Sequence, residues 1–193
     1  MSTDGENILK IIKQTRSICE QVSLLLRTID EQMKKAGWNS EGNTAIVESS
    51  LSILQPSQWM PSDVFRFYRN ENCPNRIAYV SVLLDDDKWK EYTIKEPLIT
   101  AGFFDYGQVK VGQQGDNWLY WYARYYGYLA KEKGLSPNGH PFHFDPRTAR
   151  TGDDWGKFES AEVFAFPLTT VTSSQDAKSK ITDKLLELVN QQK

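Results

Sequence analysis

From Ile8 to Met33 apolar residues recur at three- and four-residue steps: Ile8, Ile11, Ile12, Ile18, Cys19, Val22, Leu25, Leu26, Ile29 and Met33. That spacing places them on one stripe of an α-helix. Thr3 and Glu6 fit a capping box at its start, and Gly37 before Trp38 fits a left-handed stop at its end. In heptad terms the stripe fills a, d and e positions, interrupted by Thr15 at an a position and Gln32 at a d position. A stripe three positions wide suits packing on a sheet or in a bundle better than a two-stranded zipper. A helix over residues 4–36 would be about 50 Å long at ~1.5 Å per residue. A compact chain of this size is only about 40 Å across. Either the helix bends or part of the stripe is covered by a second chain, so a homodimer formed through the N-terminal helix is expected.

After the turn-like NSEGN the pattern changes. Residues 44–53 begin a strand-rich stretch, and Pro56 and Pro61 frame an irregular connection. Residues 64–69 (VFRFYR) alternate Phe65 and Phe67 with Val64, Arg66 and Tyr68, which predicts a half-exposed strand. Residues 77–84 (IAYVSVLL) are apolar on both parities except at Ser81, which predicts a central strand covered on both faces. The charged run at 85–91 reads as a turn before a strand over 92–104, in which Pro97 suggests a bulge or an edge. A further strand is expected over 158–171. From about Ser174 a closing helix carries Ala177, Ile181, Leu185 and Leu188 on one face.

Between the last two strands, residues 116–134 (DNWLYWYARYYGYLAKEKG) read as a helix capped by Asp116 or Asn117 and ended by Gly134. Seven of the eleven residues from Trp118 to Tyr128 are Trp or Tyr, out of 24 aromatics in the chain. Most of those rings fall on one broad arc, so the segment is foremost a packing element whose tyrosine hydroxyls still require polar partners. The element order and hairpin-length links predict a single α+β domain over 1–193, with a largely antiparallel sheet of about five strands. Residues 1–38 form its long N-terminal helix, 44–171 the sheet with the inserted aromatic helix, and 174–192 the C-terminal helix.

Composition narrows the function classes. With 25% charged and 39% hydrophobic residues, a net charge of −2 and a pI of about 5.8, the chain is of ordinary globular type. That balance argues against general binding to nucleic acid or anionic membrane. Two cysteines make neither a disulfide framework nor a zinc site. The N-terminus lacks signal-peptide character, and no run is long and apolar enough for a membrane span. A cytoplasmic protein is the resulting expectation.

Chemistry has one focus, the long loop at 135–157. Its segment GHPFHFDPR holds both histidines of the chain, His140 and His143, followed by Asp145 and Arg147, with Asp153 and Asp154 beyond. Two imidazoles and a carboxylate suit a divalent metal such as zinc, manganese or iron. Against this, His-x-x-His in a loop has no set geometry, and alternation with Phe142 and Phe144 reads equally as anchoring of the loop with its polar residues outward. Asp85, Asp86 and Asp87 read as a solvated turn, because Lys95 and Glu96 stand in the reverse order to a nuclease pair. Phosphate-loop, dinucleotide and nucleophile-elbow signatures do not occur.

The leading expectation is therefore a non-catalytic accessory protein. It would self-associate through the N-terminal stripe and bind a protein partner or ligand near the aromatic helix, with no cofactor. The alternatives are a metal-dependent hydrolase using His140, His143 and Asp145, and a small-molecule-binding module. The latter's cleft would be walled by Trp118, Trp121, Tyr122 and Tyr125, with Arg124 or Arg147 meeting an anion.

Overall fold

A computed structural model describes residues 4–40, 46–48, 60–85, 94–107, 137–144 and 159–191. The fold is α+β: one antiparallel sheet with an N-terminal and a C-terminal helix packed on one face. The aromatic segment 116–134 and the turn at Asp86 and Asp87 lie outside the described residues.

Helix α1 runs from Asp4 to Lys35. Its end is the predicted one. Gly37 adopts a φ of 82°, and the amides of Ala36 and Trp38 both donate to the Met33 carbonyl at 3.0 Å. Trp38 is then fully buried at the base of the sheet.

Strands β1 (Asn39–Ser40) and β2 (Ile46–Glu48) both pair with β3 (Asp63–Arg69). The order continues through β4 (Arg76–Leu83), β5 (Leu98–Asp105), β7 (Ser160–Pro167) and the edge strand β6 (Phe142–Phe144). Each of these pairings is antiparallel. The predicted central strand is central, and β4 is buried along nearly its whole length.

Three expectations needed correction. First, β3 is buried on both faces, with Arg66 and Tyr68 as covered as Phe65 and Phe67, because helix α1 lies over the parity expected to face water. Second, in the strand predicted over 92–104 the described residues 94–97 are not strand, and β5 begins at Leu98 and is internal rather than an edge. Pro97 has no amide to give a ladder and instead offers its carbonyl to Leu168 N at 2.8 Å. Third, the loop holding the histidines contains a strand, β6, and the strand predicted to reach 171 ends at Pro167 in a single 3₁₀ turn, Leu168–Thr170.

The C-terminal helix, residues 174–190 (α2), passes through a π-helical stretch at Ala177–Thr182. All four residues predicted for its inner face, Ala177, Ile181, Leu185 and Leu188, are buried. Ser173 caps it by accepting from Asp176 N at 3.1 Å, while Asp176 accepts from Ser173 Oγ at 2.9 Å. The Asp176 carboxyl is held far below its ordinary range, first by Lys180 one turn on and next by the Ser173 hydroxyl.

Alternation along the strands separates two cores. The first lies between the sheet and the helices, joining Leu26, Ile29 and Met33 of α1 to Val80, Ile99 and Phe164 of the sheet and to Ile181 and Leu185 of α2. The second occupies the opposite face around Phe65, Tyr79 and Phe104, with the Tyr79 and Phe104 rings stacked at 5.1 Å. At its centre Gly102 lies between Tyr79 and Val163, and a Cβ there would meet the Glu162 carbonyl oxygen at 2.2 Å. Only glycine admits so close an approach of β5 and β7.

Candidate interaction surface

Helix α1 is divided along its length. Its buried positions, Val22, Leu26, Ile29 and Met33, all lie in the C-terminal part. At 100° per residue, Ile8, Ile11 and Ile18 continue the same stripe toward the N-terminus, with Ile12 on its margin. These four remain 59%, 60%, 50% and 42% exposed, respectively. The stripe is continuous, but among the described residues the sheet beneath it ends near Val22. Leu9 and Leu24, also exposed, lie off the stripe.

The flanks of the free stripe are unusual for a solvated helix. From Gly5 to Gln21 the charged residues, Glu6, Lys10, Lys13, Arg16 and Glu20, all fall within about 60° of the pole opposite Val22, whereas Asp4, in the first turn, lies in line with Val22 at the amino end of the stripe. Beside the isoleucines stand Gly5, Asn7, Gln14, Thr15, Cys19 and Gln21, all uncharged. More than half of the circumference is therefore free of charge over some four turns, which is the character of an interface centre rather than of a water-facing surface.

Polar contacts lock the C-terminal half of α1 in place. Asp30 accepts from Arg66 Nε at 3.2 Å, from Arg66 Nη2 at 2.7 Å and from the Tyr68 hydroxyl at 2.8 Å. Burial, and next the Asp30 charge, push the Tyr68 hydroxyl well above its ordinary value of about 10. A second tie explains the interruption at Gln32, whose Oε1 accepts from Thr182 Oγ1 at 2.6 Å across to α2. The anchored half thus sets the direction in which the free half projects.

Two clefts flank α1 where the sheet ends. The larger, about 760 Å³, lies between α1 and the connection from β7 to α2, lined by Ile18, Val22, Leu25, Leu168, Val171 and Ala177 with an uncharged Ser, Thr and Gln rim. The smaller, about 320 Å³, lies on the other side, lined by Cys19, Val22, Leu26, Pro61, Val64 and Leu84. Met60, next to Pro61 in sequence, is exposed. Pro61 comes from a connection between predicted elements while Val64 and Leu84 stand at strand ends, and nothing in the local sequence marks them as neighbours of Cys19.

The histidine loop is placed in part. Asn138 Oδ1 accepts from His140 N at 3.1 Å, and Gly139 takes a φ of 81°, donating to the Ala165 carbonyl at 2.8 Å. These contacts lead the chain into β6 beside β7. There Phe142 packs on the second core, as the alternation predicted, and His143 is half exposed with Nδ1 3.6 Å from Glu162 Oε1. His140 is exposed. Asp145, Arg147, Asp153 and Asp154 lie outside the described residues, as do Trp118, Trp121, Tyr122, Tyr125 and Arg124. Among the described residues, no group of three or more His, Cys, Asp or Glu is placed to hold a metal, and no helix is long and apolar enough to cross a membrane. Glu162 was missed as a neighbour of His143 because strand register alone pairs them. Both cysteines are free thiols, Cys19 exposed on the stripe's margin and Cys73 half-buried.

Comparison with known proteins returned no matching family, no matching characterised protein and no matching solved structure.

Proposed function

We propose that this chain is a non-catalytic accessory protein that works by self-association through the N-terminal half of α1. One observation carries the reading: an apolar stripe, continuous with the core, runs beyond the sheet on a helix face that carries no charge from Gly5 to Gln21. Fully burying an isoleucine stabilises by about 1.5–3 kcal/mol, so covering the exposed half of each yields about 1 kcal/mol. Two copies contribute eight isoleucines, or about 8 kcal/mol before the cost of association, itself about 4–15 kcal/mol. Terms this close describe a reversible dimer that responds to concentration, as suits an assembly protein rather than an obligate pair.

Sedimentation across low to high micromolar concentrations tests this. The wild-type chain is expected to pass from monomer to dimer. Ile11→Asp, which places a charge in the stripe without touching the core, is expected to remain monomeric with an unchanged circular dichroism spectrum. A wild-type chain that stays monomeric throughout, or an Ile11→Asp variant that dimerises equally well, rules the reading out. The metal-dependent hydrolase remains the rival, supported among the described residues only by the proximity of His143 and Glu162.

A further inference from the structure

We infer that the occupant of the free stripe is the same half-helix of a second copy, lying antiparallel about a two-fold axis near Lys13. This inference rests on the self-association reading and adds its geometry.

The direction follows from what lies under α1. The stripe from Val22 to Met33 faces its own sheet, and the free stripe from Ile8 to Ile18 faces the same way. A second helix laid on the free part therefore shares that side of α1 with the sheet. Run parallel, its residues beyond Val22 would enter the space the sheet already fills, and the same conflict would arise in the partner. Run antiparallel, its anchored half and its sheet lie past the amino end of the first helix, where the two bodies do not compete.

The length of the stripe sets the register. Mutual coverage from Ile8 to Ile18 centres the pair at residue 13, placing Ile8 opposite Ile18 and Ile11 opposite Thr15 in both directions. Thr15, half-buried and able to bond its own helix through its hydroxyl, is the small polar group nearest the axis. The second copy's amino-terminal turn then arrives beside Cys19 and Val22, at the mouths of the two clefts. Charge agrees with this occupant. A two-fold interface sets each patch against itself, so charged groups in it would meet their own kind. Here every charged group from Gly5 to Gln21, namely Glu6, Lys10, Lys13, Arg16 and Glu20, points away, and Asp4 alone lies in line with the stripe, at the rim of the pair opposite Val22. A heterologous partner would impose no such exclusion.

Gly5→Cys tests the geometry, since a Cβ at Gly5 meets nothing within 4 Å and every isoleucine is kept. In the antiparallel pair, residue 5 of one copy lies within about one turn of native Cys19 of the other, on the same side of the interface. Within one chain the two are about 21 Å apart along the helix, beyond a short bis-maleimide. In a parallel pair, residues 5 and 5 face each other, as do 19 and 19. After cross-linking a mixture of isotopically light and heavy full-length chains, peptide masses are expected to show the 5–19 link between chains as the main product. A dimer linked at 5–5 and 19–19, or not linked at all, overturns the antiparallel geometry and leaves self-association standing. A chain that stays monomeric by light scattering at tens of micromolar overturns both.

Discussion

Asp30→Ala should lower the melting temperature by about 6–12 °C, an effect that follows from the contacts beneath α1. The lost carboxylate accepts two bonds from Arg66 and one from Tyr68. Arg66 is 6% exposed and Asp30 26%. Removing one member of a buried ion pair costs about 3–5 kcal/mol, because the other charge stays out of water without that partner. Water does reach the Asp30 side, so the lower end, about 3 kcal/mol, applies. For a chain of this length each kcal/mol moves the midpoint by about 2–4 °C. Thermal melts followed by far-ultraviolet circular dichroism would measure the shift, with urea midpoints as a check. Replacing both charges with apolar groups, Asp30→Leu with Arg66→Met, is expected to recover most of the loss, less the Tyr68 bond. A single variant melting within about 2 °C of wild type, or a double variant no better than the single, would refute the claim that this triad docks the helix.

The Tyr68 hydroxyl supplies a pH test. Its folded value lies above the unfolded value of about 10, so its contribution to stability is complete below pH 10 and is lost as pH rises through the folded value. In an alkaline titration, Tyr68→Phe is expected to remove phenolate signal only from the part that appears as the chain unfolds; loss of the early signal would contradict its placement. The rival enzymatic reading has its own assay. Protein purified without a histidine tag is expected to contain no stoichiometric zinc or manganese and to show no thermal shift on adding either. A bound metal lost in His143→Ala would displace the non-catalytic reading.

Features that depend on local periodicity were legible in the chain alone. The three-and-four spacing of α1, its stop at Gly37 and the inner face of α2 follow from residues that recur within a turn or two. The two-sided apolar run of β4 marked it as central for a similarly local reason. What escaped depended on distant partners. Arg66 and Tyr68 read as solvent-facing because Asp30, which makes their burial tolerable, lies 36 residues before Arg66. Gln32 read as a flaw in the stripe until Thr182, 150 residues later, met it. Phe142, His143 and Phe144 became a strand because β7 offered them an edge.

The stripe itself shows the boundary between the two kinds of information. Sequence determined that Ile8, Ile11, Ile18 and Val22 share one side of one helix, since a 3.6-residue repeat is a property of the chain wherever it sits. It could not determine which of them would be covered, because an apolar periodicity is identical over a sheet, over a partner or over water. Only the tertiary structure placed the end of the sheet, among the described residues, near Val22, and with it the length of stripe left exposed.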